Sequence, residues 1–195
     1  MDKCIAVFGG TFNPIHNGHV EIAQSVAALP SVEKLLIIPT FKPPHKNTGF
    51  LASGEDRINM CKIALSHIKK AEVSDIELAR GGSSYTYDTL CELNEKYSEK
   101  VALCVGGDMI TTFHKWYRAE DILKMARIIA YRRSGIDNTQ FDESVLMLRK
   151  MGGEITVIDT EISDISSSMV REGNYALVPE KVLEYIKENG LYGEK

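Results

Sequence analysis

Two histidines three residues apart, His16 and His19, stand behind a glycine pair in Gly9-Gly10-Thr11-Phe12-Asn13-Pro14-Ile15-His16-Asn17-Gly18-His19. Val20, Ile22, Ala23, Val26 and Ala27 follow at helical spacing, which puts both imidazoles on one side of the first turn, facing one ligand. A helix N-terminus offers free N–H groups and a partial positive charge, and both favour an anion. That same charge disfavours a protonated imidazole until a bound phosphate reverses the effect. The expected chemistry is polyphosphate binding, with imidazole N–H groups donating to oxygens whose charge grows in a transition state. Gly9 and Gly10 lack a Cβ, so they are expected to let the chain turn sharply at a strand end and to let a ligand lie against the backbone. Zinc is a rival reading, but no third Cys, His or Asp stands nearby in a ligand pattern, and helical zinc pairs favour a four-residue spacing. The glycines match neither the dinucleotide fingerprint nor the Walker P-loop.

Such a segment needs a scaffold, and the rest of the chain supplies its pattern. Cys4–Phe8 is a short, continuous apolar run, as expected of a strand buried on both faces. Similar runs recur at Leu35–Pro39, Val73–Ile76, Val101–Val105, Ile128–Tyr131 and Ile155–Ile158, with helical patterns between them. The alternation predicts an α/β fold: one Rossmann-like, open, mostly parallel sheet with right-handed crossovers and helices on both faces, a single domain over residues 1–195. Ligands of such sheets bind at the strands' carboxyl ends. The candidate segments Gly9–His19, Pro39–Lys46, Gly81–Thr86, Gly106–Asp108 and Arg132–Arg133 all read as following strands. Near the C-terminus, Pro179 is placed to start a helix and Gly190 to stop it.

Composition narrows the function classes. With 195 residues and 44% hydrophobic content, the chain suits one domain burying roughly 70% of its unfolded surface. The net charge of −4 argues against a general nucleic-acid binder. No signal peptide precedes Phe8, and no apolar run approaches the ~20 residues that span a bilayer, so a cytoplasmic protein without a membrane partner is expected. Cys4, Cys61, Cys91 and Cys104 lie in apolar patterns without C-x-x-C pairing and read as buried, reduced thiols. Basic residues gather in expected loops: Lys42 and Lys46 around Pro43-Pro44-His45, Lys115 and Arg118 around Trp116-Tyr117, Arg132-Arg133, and Arg171. A small anion is the expected ligand, although any one of these, Arg118 first, reads equally as a solvated surface charge.

Three constellations sharpen the ligand. In Gly81-Gly82-Ser83-Ser84-Tyr85-Thr86-Tyr87 a turn hands over to a helix, with Ser84 or a neighbour as cap and amides that suit a carboxylate; simple capping is the plainer reading. Gly106-Gly107-Asp108 sets a carboxylate at a strand end where ribose hydroxyls can donate to it, while Trp116 offers either a stacking face or core packing. Ile165-Ser166-Ser167-Ser168-Met169-Val170-Arg171 gathers hydroxyls and amides at a helix start with an arginine one turn on, a group suited to terminal phosphates.

Taken together, these residues resemble the nucleotidyltransferase superfamily, and most closely the bacterial nicotinate mononucleotide adenylyltransferases, over nearly the whole length. Gly9–His19 and Ile165–Arg171 match the two superfamily motifs. Pro43-Pro44-His45-Lys46, Ser84 through Thr89, Gly106 through Met109, Lys115-Trp116-Tyr117, Val178-Pro179 and Asn189 through Tyr192 match the subfamily. Asn13 stands where the subfamily often has Asp, Ser168 where it usually has Thr, and Gly107 where Ala is frequent.

The resemblance implies in-line transfer of an adenylyl group from ATP to nicotinate mononucleotide, without a covalent intermediate, so that positioning and charge stabilisation dominate. It assigns catalysis to His16, His19 and Arg171, and ATP binding to Gly9, Gly10, Thr11, Phe12, Gly18, Gly106, Ser167 and Ser168. The mononucleotide falls to Lys42, His45, Lys46, Ser84, Tyr85, Thr86, Asp108, Lys115 and Trp116, with Thr86 and adjacent amides taking the nicotinate carboxylate. Mg²⁺ is expected to arrive with the ATP phosphates rather than to sit in a protein cage. Adenylylation of nicotinamide mononucleotide or phosphopantetheine, or a silent nucleotide-binding regulator, are the alternatives. The oligomeric state, a homo-oligomer included, stays open.

Overall fold

The strand β1 (Cys4–Gly10) sends Cys4, Ala6 and Phe8 into one buried apolar cluster and Ile5 and Val7 into another. Successive strand side chains point to opposite faces, so a strand apolar at every position must lie inside a sheet covered on both sides. The computed structural model describes residues 2–42, 50–132, 138–158 and 162–193. After β1 come α1 (Asn17–Ala28), β2 (Val32–Pro39), α2 (Gly54–Leu65), β3 (Ala71–Val73), α3 (Ile76–Arg80), α4 (Thr86–Lys96) and β4 (Lys100–Gly106). The chain continues through α5 (Gly107–Ile110), α6 (Ala119–Met125), β5 (Arg127–Tyr131), α7 (Asn138–Lys150), β6 (Ile155–Ile158), α8 (Ser167–Arg171) and α9 (Glu180–Glu188).

The sheet has six strands in the order β3-β2-β1-β4-β5-β6. Every ladder is parallel, where the sequence promised a mostly parallel sheet. One face carries Ile22 and Val26 of α1, Met60 and Cys61 of α2, and Val182 and Ile186 of α9. The other carries Leu90 and Leu93 of α4, Ile122 and Leu123 of α6, and Phe141 and Leu148 of α7.

The winding reverses at β1, which has β2 on one side and β4 on the other. Its pairing with β2 runs from Cys4↔Val32 to Gly10↔Pro39, but its pairing with β4 ends at Val7↔Leu103. Past Val7 the two central strands part, leaving the crevice where open α/β sheets hold their ligands. Gly9–His19 and Gly106–Asp108 both open onto this switch point.

One boundary differs from the sequence reading. The run Val73–Ile76 is not a single strand: β3 ends at Val73, Ser74 N–H donates to Ile37 O, and Ile76 opens α3. Five residues are too few for helical periodicity to register, and Asp75 and Glu77 were the only local signal of a helix start. Gly81–Thr86 therefore follows a helix rather than a strand, leaving α3 through Gly81 at φ 71°.

All four cysteines are free thiols; Cys4, Cys61 and Cys104 are buried, whereas Cys91 is half-buried. Burial pushes the thiols of Cys4, Cys61 and Cys104 above their ordinary range. Among the described residues no helix is long and apolar enough to cross a membrane.

Candidate active site

At the exit of β1 the structure corrects the reading of the glycines. Gly9 and Gly10 stay in the strand, and the left-handed residue of the loop is Phe12, at φ 48°. Gly10 is needed for space, since a Cβ there would stand 2.9 Å from Phe12 Cζ. The Phe12 ring is buried, edge-on to Phe8 at 5.4 Å and to His19 at 5.0 Å between centroids. Phe12 is thus a floor beneath His19, and its side chain is no surface for ATP.

The histidines also differ from expectation. His16 precedes α1 as its N-cap in an extended conformation, is 2% exposed, and stacks on His19 with centroids 3.6 Å apart. The two rings are layered rather than side by side, because His16 lies outside the helical spiral that carries His19. The backbone N–H of His16 donates to His19 Nδ1 at 3.2 Å, so neutral His19 carries its proton on Nε2 and is a donor there. Gly18 is fixed by crowding: a Cβ would stand 3.3 Å from both His16 Nδ1 and Ser163 O.

Residues from the far end of the chain close over this loop. Ser166 caps α8 by accepting from Met169 N–H, and Ser167 Oγ donates to Pro14 O at 2.8 Å. Arg171 donates from Nη1 to Asn13 O at 2.6 Å and from Nη2 to Ser168 Oγ at 3.0 Å. Glu21 of α1 accepts from both the N–H and the hydroxyl of Ser163, each at 2.8 Å. The two motifs are joined by direct hydrogen bonds across 153 and 158 residues of sequence and form one surface. Ser168 and Arg171 come together as expected, with Arg171 bonded to the loop that leads to His16 and His19, while the Ser167 hydroxyl hydrogen is spent on Pro14.

Ser84, expected on the mononucleotide side, is not itself the cap of α4. Tyr85 holds that position, and Ser84 Oγ instead accepts from Phe41 N–H at 2.9 Å and Lys42 N–H at 3.4 Å while its own N–H donates to Lys42 O. The contact welds the segment after β2 to the start of α4. Thr86 opens α4 and lines a cleft with Gly9, Val7, Ile38, Glu77 and Thr89. Trp116 stacks on Phe113 at 4.8 Å, so packing takes one ring face and leaves the residue half-buried. Lys115 is exposed at the end of a 3₁₀ turn, and Gly106 is the buried last residue of β4. Asp108 lies in α5, its side chain outside the described set; His45, Lys46 and Arg133 lie outside the described residues. Arg132 is committed to Asp142 at 2.7 Å and to the Phe141 ring, and Arg118 to Asp121 and the Tyr87 ring.

Arg57 and Glu77 escaped the sequence reading, and Tyr192 entered it only as part of the subfamily match, with no role at the site. Arg57 is 1% exposed and donates from Nε to Ala52 O and from Nη1 to Thr11 O and Thr40 O, tying the loop after β1 to both ends of the loop after β2. Burial holds its guanidinium below the usual arginine range. Its signal was an arginine on the apolar stripe Arg57, Met60, Cys61, Ala64 of α2. Glu77 is buried beneath Thr86 and accepts from the Thr89 hydroxyl at 2.6 Å. The Tyr192 phenol donates to Asn13 Oδ1 at 2.7 Å. Burial pushes its pKa up, against the pull of Arg171 and Arg57.

Comparison with known proteins shows the family and the fold. The cytidylyltransferase-like family model matches residues 7–173. A Listeria innocua protein named "Probable nicotinate-nucleotide adenylyltransferase" is 34% identical, with all of both chains covered. The chain belongs to the nicotinate-nucleotide adenylyltransferase family. A Dehalococcoides mccartyi protein of the same name is 36% identical over 95% of each chain. Among solved structures, a Plasmodium falciparum nicotinic acid mononucleotide adenylyltransferase complexed with APC superposes with TM-score 0.79 at 21% identity, covering 99% of this chain and 98% of the other. The same enzyme complexed with NaAD gives 0.78 at 19% identity with the same coverage, a likeness of fold.

Proposed function

We propose that this chain transfers the adenylyl group of ATP to nicotinate mononucleotide, yielding nicotinate adenine dinucleotide and pyrophosphate. The observation that carries the site assignment is the loop Asn13–His16 at the β1/β4 switch point, whose Asn13 carbonyl accepts from Arg171 and whose His16 N–H donates to His19. The mononucleotide phosphate oxygen attacks the α-phosphorus in line; the bond to the bridging α,β-oxygen breaks and the electron pair leaves with pyrophosphate. His19 Nε2–H donates to α-phosphate oxygens as their charge grows, held in that tautomer by the His16 amide. Arg171 and Ser168 receive the leaving phosphates, and α4's amides with Thr86 receive the nicotinate carboxylate.

Among the described residues no group of three or more His, Cys, Asp or Glu is arranged to hold a metal ion. A magnesium ion would be bound chiefly by phosphate oxygens and water, where it would supply charge neutralisation. The test is pyrophosphate release from ATP and Mg²⁺ with nicotinate mononucleotide and, in parallel, its amide. Faster release with the acid supports Thr86 and its amides as a carboxylate site. Equal rates, or none with either, overturn the acceptor assignment.

A further inference from the structure

Tyr192 combines four features that a chain end packed for stability alone does not require. Its backbone is left-handed at φ 58° and ψ 20°, a costly conformation for an aromatic residue that persists only where the surroundings over-determine it. Its carbonyl accepts from the Tyr175 hydroxyl at 3.1 Å, and its ring meets Phe50 edge-on at 5.7 Å. Its phenol reaches across the fold to Asn13 Oδ1 at 2.7 Å.

Asn13 is 2% exposed and its side-chain amide makes three hydrogen bonds. Oδ1 accepts from Tyr192 and from Ala52 N–H at 3.1 Å, and Nδ2 donates to Phe50 O at 2.8 Å. Those bonds fix the Asn13 peptide, whose carbonyl accepts from Arg171 Nη1 at 2.6 Å. A planar guanidinium anchored at one nitrogen and braced by Ser168 at another has its remaining N–H directions set. Tyr192 therefore stands one residue away from an arginine whose orientation matters to catalysis.

We infer that Tyr192 is a positioning residue for Arg171: acting through Asn13, it aims the guanidinium at the leaving pyrophosphate. The inference rests on the phosphate-binding role proposed for Arg171. Tyr192 touches no substrate, and its loss acts only while Arg171 is present.

The experiment is a double-mutant cycle of Tyr192→Phe and Arg171→Ala, read by kcat, by both KM values and by ATP affinity from calorimetry, with thermal melts on all four proteins. Tyr192→Phe lowers kcat about tenfold, the worth of one hydrogen bond to a charged network, and leaves the mononucleotide KM unchanged. In the Arg171→Ala background the same change has less than about a twofold effect, because coupled residues are non-additive. A full tenfold effect in that background, or a lower melting temperature with unaltered kinetics in Tyr192→Phe, overturns the inference. If Arg171→Ala does not fold, Arg171→Gln completes the cycle. If the wild-type chain uses a different acceptor, the acceptor assignment fails while ATP affinity still reads the coupling: additive losses of affinity overturn it, non-additive losses support it.

Discussion

Adjacent glycines in one strand give a sharp test of the site's construction, because alanine at each meets a different surface. A Cβ on Gly10 would lie 2.9, 3.1 and 3.2 Å from Phe12 Cζ, Cε1 and Cε2. The ring has no retreat: Phe12 is 1% exposed, holds φ 48°, and is wedged between Phe8 and His19. Overpacking of this kind costs about 1–3 kcal/mol, which in a domain of this size lowers Tm by roughly 2–12 °C. Since the displaced ring supports His19, kcat falls as well. At Gly9 the nearest atom to a new Cβ is Ile38 O at 4.0 Å, so Gly9→Ala fits the fold and keeps Tm. That methyl enters the cleft lined by Gly9 and Thr86, and raises the mononucleotide KM. Scanning calorimetry and initial rates of pyrophosphate release on both variants read the two effects separately. Equal Tm losses, or a larger loss at Gly9 than at Gly10, would refute the reasoning.

His19→Ala removes a donor to a developing oxyanion, so kcat should drop about a hundredfold or more with ATP affinity nearly intact; intact turnover in that variant would remove His19 from the mechanism. Arg57→Lys keeps a positive charge but loses the fork to Thr11, Thr40 and Ala52, so Tm should fall and both KM values rise, as paired melts and kinetics will show. Stability should decline in alkali: the folded state holds Cys61 and Cys104 protonated above their ordinary pKa of 9.0, so unfolded thiols release protons first and the loss begins near that pH. A Tm that stays flat in reducing buffer from about pH 8 to about pH 10.5 would contradict it. Chelating the divalent ion should stop pyrophosphate release without moving Tm, because its ligands are expected to be the phosphates rather than the fold.

Local signals in the chain determined a good deal. Continuous apolar runs such as Cys4–Phe8 forecast strands buried on both faces, and their alternation with helical patterns forecast the parallel sheet and the location of its ligand edge. The loops carrying Gly9–His19 and Ile165–Arg171 raised the expectation of phosphate chemistry through residue type and spacing alone. What tertiary structure decided is everything set by contacts between distant segments. Ser84 reads locally as a helix cap but bonds the Phe41 and Lys42 amides, and Gly10 reads as a ligand-facing glycine but makes room for Phe12. His16 and His19 read as neighbours on one helical face, yet the extended N-cap layers one beneath the other. Arg57 serves carbonyls of two loops, reaching back 46 residues to Thr11, and Tyr192 reaches an asparagine near the other end of the chain. Periodicity and caps depend on residues within a turn of one another, so they are legible in a string of letters. Which buried polar group meets which carbonyl depends on how the sheet's crossovers bring strand ends together, and that is fixed only when the chain has folded.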